Sequence, residues 1–200
     1  IYSSKDFSSA YTLIKDVVLP NLHKDDSKCL LIGINQADMA LKGNYWNKAE
    51  SQPEPKLIGR LEEQVQTVKA RIKADTGLDV EPIYYSAGYK DDDMAQRPYN
   101  LQKLLSFILE RLPEKKRAAI ATHINPDQTN FQSNDGKADY DKKVEGSILT
   151  SIAIYVKEVL AEVYDKAKGF VTDPEVIKAG AALLAQAMLQ LFKTATTKGK

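Results

Sequence analysis

The chain has 200 residues, enough for one ordinary domain or two small ones. Its 43% apolar and 28% charged residues are ordinary for a globular protein, and a net charge of +1 gives no electrostatic case for nucleic acid or a membrane surface as partner. A single cysteine, Cys29, excludes an intrachain disulfide and fits a reducing, cytoplasmic setting; nothing resembles a signal peptide, and no stretch reaches the about 18 apolar residues of a transmembrane segment.

Residues 6–19 read as a helix capped by Asp6 or Ser4. Phe7, Ala10, Tyr11, Ile14, Val17 and Val18 share one face, and Pro20 is expected to end it. Residues 28–34 form an apolar run of strand length, suited to a strand buried on both faces of a parallel sheet. Residues 42–56 are polar, contain Pro53 and Pro55, and read as a loop insertion. Helical spacing returns over 57–74 through Leu57, Leu61, Val65, Val68 and Ile72, with Gly77 as the C-cap. Residues 80–85 predict a second strand, with Pro82 near its start. Asp91, Asp92 and Asp93 read as a loop. Residues 99–112 predict a helix through Leu101, Leu104, Leu105, Ile108 and Leu112, closed by Pro113. The order helix, strand, helix, strand, helix predicts an α/β fold with parallel strands joined by crossovers.

Beyond Pro113 the composition changes. Lys115, Lys116 and Arg117 lead into a short apolar segment ending near Ile124. Residues 125–143 are rich in Asn, Asp and Gln and are expected to form a long loop or disorder. Residues 146–168 predict a helix through Leu149, Ile152, Val156, Val159 and Val163, ended by Gly169. Asp173 and Pro174 start another over 174–193, through Ile177, Gly180, Leu184, Ala187 and Leu191. The pair predicts an antiparallel helical hairpin. Its small residues Ala179, Gly180, Ala181, Ala182 and Ala185 are expected in a close-packed core. The division expected is 1–113, an α/β part; 114–143, a linker or partly disordered loop; and 144–200, a helical region.

Chemistry concentrates at the carboxyl ends of the two predicted strands, where open α/β sheets place their ligands. Asn35-Gln36-Ala37-Asp38 follows the first and Ser86-Ala87-Gly88 the second. Such residues also cap plain turns after strands. NQAD resembles the NKxD motif of GTPases of the translation-factor and Era-like superclass, and SAG resembles their SAK motif. The resemblance implies that Asp38 accepts hydrogen bonds from guanine N1–H and the 2-amino group. A carboxylate left unpaired by the wrong base is costly, which gives the site its selectivity. It implies that Asn35 ties the motif to backbone and base, that Ser86 orients Asp38, and that the Ala87 N–H donates to guanine O6. Gln36 and Gly88 stand where that pattern places lysines whose stems cover the base.

The wider resemblance is to bacterial predicted Era-like GTP-binding proteins with an extra C-terminal helical region. It implies that residues 1–113 are the later half of a P-loop GTPase-like three-layer domain, followed by a C-terminal helical hairpin. GTP or GDP is the implied ligand, with magnesium only where a phosphate loop is present. No G-x-x-x-x-G-K-[ST] loop, switch threonine or DxxG segment occurs in the 200 residues, so no catalytic residue is assigned. A chain opening on Ile1 is expected to be processed, cleaved or partial, with those motifs upstream.

Other candidates are weaker. His23 and His123 lack acidic or cysteine neighbours at metal spacing, and no metal ligand is assigned. Asn134-Asp135-Gly136 fails as a calcium loop, because Phe131 and Lys142 would stand where acids are needed. Cys29 reads as a small buried hydrophobe. The three aspartates read as a solvated loop, and Lys115 to Arg117 is too short for a nucleic-acid patch. Tyr45 and Trp46 are expected to cover the neighbouring helix. An alternative is a degenerate GTPase remnant acting as an interaction or oligomerisation module. Its partner surface would be 144–200 or the unpaired edge of the 28–34 strand.

Overall fold

The computed structural model describes residues 8–21, 30–91, 94–121, 123–125, 127–167, 175–176, 179–180, 182–183 and 186. Outside them lie Ser4, Asp6, Phe7, His23, Cys29, Asp92, Asp93, Gly169, Asp173, Pro174, Ile177, Ala181, Leu184, Ala185, Ala187 and Leu191. The chain divides into two compact units. One joins Ile1–Leu112 to Gln128–Val144, and the other joins Pro113–Asp127 to Glu145–Lys200.

In the first unit the architecture mixes helices with short strands. Helix α1 (Ser8–Leu13) runs into a π turn (Ile14–Val18) and then α2 (Leu19–Asn21). Pro20 therefore does not end the helix. A proline ring collides with the carbonyl four residues back, and here the turn is widened just before it, with the Leu19 N–H donating to Ile14 O. Tyr11 and Ile14 pack on the core, while Val17 is exposed.

Strand β1 (Gly33–Ile34) pairs in parallel with β4 (Ile83–Tyr84), Gly33 opposite Ile83 and Ile34 opposite Tyr84. Between them come β2 (Trp46–Asn47), β3 (Gln52–Pro53) and α3 (Pro55–Thr76). Pro55 opens α3, where its missing N–H is no loss, and Gly77 closes it in the left-handed region. Leu57, Leu61, Val65, Val68 and Ile72 are all buried, as their spacing predicts. They form the core with Ile34, Val80, Tyr84 and Tyr99.

The expected loop at 42–56 is a small antiparallel hairpin, β2 with β3. Tertiary packing holds it: the Trp46 ring is buried and meets Tyr99 edge-on at 5.7 Å between centroids. Trp46 thus packs on Tyr99 and shares the core cluster with Leu57 and Leu61 of α3. Tyr45 does lie against α3, its hydroxyl accepting from Lys56 Nζ at 2.8 Å. Strands β5 (Tyr89–Asp91) and β6 (Met94–Gln96) form another hairpin, so Asp91 ends a strand instead of lying in a loop.

Helix α4 (Leu101–Arg111) buries a different face from its leucine stripe. Gln102, Lys103, Ser106 and Leu109 are buried, whereas Leu101, Leu104, Leu105 and Ile108 are half-buried. The reason is the polar stretch at 128–144, which belongs to this unit. After a 3-10 turn (Gln128–Phe131), Ser133 O accepts the Asn100 N–H, and the Ser133 hydroxyl donates to Ser51 O. Asp135 accepts from Lys103 Nζ at 2.7 Å and from the Tyr140 hydroxyl at 2.8 Å, and its own N–H donates to Asn100 Oδ1. Lys103 Nζ also lies 5.5 Å from the Tyr84 ring centroid. Residues 132–139 are thus an ordered strap, held by a buried ion pair.

Burial pushes the Asp135 carboxyl up, but the hydrogen bonds and charge of Lys103, with the Lys137 N–H, outweigh it and hold it below its ordinary value of 3.8. Its folded value is depressed, so its contribution to stability is fully present above that ordinary value. It is lost as pH falls through the folded value. Glu62, pushed up by burial, is likewise held low overall by Lys137 and the Tyr84 hydroxyl. Chemical denaturation between pH 6 and pH 2 is expected to show stability falling most steeply below pH about 4, and Asp135→Asn should flatten that fall.

In the second unit, α5 (Glu114–Ala121) leads on after Pro113, and α6 (Tyr140–Ala167) enters this unit at Glu145. Helix α6 starts before the expected residue 146 because Asp139 caps it, its Oδ1 accepting from the Lys142 N–H at 3.1 Å. Ile148, Ile152 and Val156 are buried at four-residue steps, Ser151 is buried beside them, and Ser151 Oγ accepts the Ala118 N–H. Leu149 of the expected stripe is exposed. Residues 175–176, 179–180, 182–183 and 186 are helical. Ala179, Gly180 and Ala182 are exposed there rather than in a core. No described helix is long and apolar enough to cross a membrane.

Candidate functional site

The parallel ladder brings the two polar segments together. Ile83 N–H donates to Ile32 O and Tyr85 N–H to Ile34 O, both at 3.0 Å. Just past the strands, the Ala37 N–H donates to Tyr85 O at 3.1 Å. The segments 35–38 and 86–88 therefore leave the sheet side by side.

Asp38 and Ser86 are both buried, and the Ser86 hydroxyl donates to Asp38 Oδ1 at 2.7 Å. Asp38 Oδ2 makes no hydrogen bond among the described residues. One carboxylate oxygen is thus pinned and the other is left as an acceptor. The Ser86 oxygen in turn accepts long contacts of 3.4 Å from the Gly88 N–H and from Gln96 Nε2. A hydroxyl has one proton and two acceptor positions. With two N–H groups on its oxygen, the proton is directed to Asp38.

Asn35 Oδ1 accepts the N–H of Gln36 at 2.7 Å, which stabilises the bend between strand and motif. Gln36 itself lies in the left-handed region, at φ 60°. A non-glycine residue there is under strain, which often accompanies binding sites. Further positive φ values follow at Leu41, Lys42, Tyr45 and Ser51. Ala37 is buried, whereas Ala87 is exposed. Tyr99 fixes Ser86 from the far side, through reciprocal backbone bonds of 3.1 and 2.9 Å.

Gly88 has a structural reason to lack a side chain. Its φ is +72°, and an added Cβ would stand 2.5 Å from Gln96 O and 2.8 Å from Pro98 N. The β5–β6 hairpin closes that position to lysine. Gly88→Ala combines left-handed strain with a backbone collision, and urea unfolding is expected to show a loss of about 2–3 kcal/mol.

All six residues read from the motifs, Asn35, Gln36, Asp38, Ser86, Ala87 and Gly88, fall within these two adjoining segments. Gln96 and Tyr99, which hold Ser86, were not foreseen. Gln96 is polar and ends β6, and only the hairpin register reveals its inward direction. Among the described residues no group of three or more His, Cys, Asp or Glu is placed to hold a metal.

Fold and site define a mixed helix and strand protein with paired polar segments at the carboxyl ends of two parallel strands. No family model matches the chain, and neither a curated protein nor a solved structure matches it.

Proposed function

We propose that this chain carries the base-recognition edge of a guanine-nucleotide-binding protein of the P-loop GTPase type, similar to the Era-like proteins. The observation that carries the reading is the buried Ser86–Asp38 hydrogen bond, which leaves Asp38 Oδ2 as an acceptor. An acceptor oxygen beside an exposed backbone segment at Ala87 suits a ligand edge carrying both N–H donors and a carbonyl. Guanine has that edge, while adenine offers no paired N1–H and 2-amino donors. GTP or GDP is the ligand in this reading. Phosphate gripping, magnesium and hydrolysis belong to a chain that carries the phosphate loop. A cytoplasmic switch protein fits the same reading.

The closure of position 88 by backbone favours a second reading, in which the fold keeps the base site's form and serves as an interaction module.

The test is an amide-resolved NMR titration of the 200-residue chain with GMP and, separately, AMP. Weak binding is expected, because phosphate contacts supply most affinity in such folds. GMP should shift the amides of Asp38, Ala87 and Gly88, and AMP should leave them in place. Equal shifts from both nucleotides would remove the guanine assignment.

A further inference from the structure

Gly88 cannot carry the stem that covers a base, but the next residue supplies a flat face. Residues directly opposed across an antiparallel ladder point to the same side of the hairpin. Tyr89 opposes Gln96 across β5 and β6. The Gln96 side chain is buried and reaches inward to the Ser86 hydroxyl. Tyr89 therefore stands on the Ser86 side of the hairpin. Yet it is 45% exposed, and its side chain makes no hydrogen bond, ring contact or ion pair among the described residues. An aromatic ring on the Ser86 side of the hairpin, with one part in solvent, is a stacking surface for a purine.

We propose that Tyr89 is the base-covering residue of this site, stacking on a purine whose edge Asp38 reads; this rests on the guanine reading above. Tyr89 takes over the contact that the closed position 88 cannot make. Stacking recognises a π face and not a donor pattern, so Tyr89 adds affinity while Asp38 sets the choice of base.

The test titrates the full chain and its Tyr89→Phe, Tyr89→Leu and Tyr89→Ala variants with GMP, IMP and AMP, followed by amide NMR. Tyr89→Phe should bind GMP like the parent chain. Tyr89→Ala should lose about 5- to 150-fold for GMP and IMP alike, the range that roughly 1–3 kcal/mol of stacking represents. The GMP-to-AMP ratio should stay unchanged. Tyr89→Leu keeps apolar packing on the hairpin without the π face, and should lose affinity with unshifted β5 and β6 amides. Parental GMP affinity in Tyr89→Ala overturns the proposal. So does loss of affinity in Tyr89→Phe equal to that in Tyr89→Ala. If the parent chain binds GMP and AMP equally and Tyr89→Ala weakens both, stacking stands and the guanine reading falls. If the parent chain binds none of the three, both fall.

Discussion

Lys103→Met is expected to destabilise the first unit by about 3–5 kcal/mol, the usual cost of removing one partner from a buried ion pair. The side chains of Lys103 and Asp135 are only 11% and 4% exposed, so water cannot replace the lost ammonium. The Tyr140 hydroxyl and the Lys137 N–H would still reach Asp135, but neither carries the charge that offsets its burial. The pH response provides a sharper signature than the magnitude. With Lys103 present the Asp135 carboxyl sits below its ordinary value, and acid destabilises the unit. Without Lys103, only the Lys137 N–H and the Tyr140 hydroxyl still oppose burial, so the carboxyl moves up from its depressed position. The loss of stability in acid then becomes smaller than in the parent chain. Urea unfolding at pH 7 and pH 3 measures both effects. A control with both residues made apolar, Lys103→Met with Asp135→Leu, should recover much of the loss. A Lys103→Met variant that unfolds like the parent at both pH values would show that the strap does not depend on this pair.

Asp38→Asn is expected to shift the preference between GMP and XMP by about 100-fold or more toward XMP, equivalent to roughly 2.7 kcal/mol. Ser86 makes this outcome specific. Its hydroxyl donates to Oδ1 at 2.7 Å and would hold the amide oxygen of the asparagine in the same place. The amide nitrogen then occupies the position of Oδ2 and presents donors where the aspartate presented an acceptor. Guanine's 2-amino group meets another donor, while the 2-oxo group of xanthine meets a partner. Removal of Ser86 should blur the exchange, because an unpinned amide can turn over. The measurement is a paired titration of the parent chain, Asp38→Asn and Asp38→Asn with Ser86→Ala against GMP and XMP. An unchanged preference in Asp38→Asn removes Asp38 from the base site.

The parts of the fold written in local pattern were legible in the sequence. The five apolar positions of α3 from Leu57 to Ile72 lie on the buried face, and Gly77 takes the positive φ its position requires. The link between Asp38 and Ser86 was expected from the resemblance of NQAD and SAG to the GTPase motifs, and the parallel strands that precede them end on the same side. What escaped depends on partners remote in sequence. The leucines of α4 have the right spacing for a buried face. They are only half-buried because Asp135 and Asn100 draw Lys103 and its neighbours inward. No composition rule places a lysine in a core before its carboxylate is known. The β2–β3 hairpin has Pro53 within it, Pro55 just beyond it and weak strand propensity, and Trp46 against Tyr99 holds it instead. Pro20 ends helices by collision, and the sequence carries no sign that the preceding turn would widen.

The strap across α4 has a consequence for synthesis from the N-terminus. A nascent chain made as far as Leu112 contains both parallel strands, the helix between them and every candidate base-reading residue. It also contains Lys103, while Asp135, its ion-pair partner, has yet to be made. The first unit closes only when the residues through Val144 have followed. The buried ion pair of the first unit can therefore form only after both of its parallel strands have been made, with residues 128–144 rather than with the segments 35–38 and 86–88.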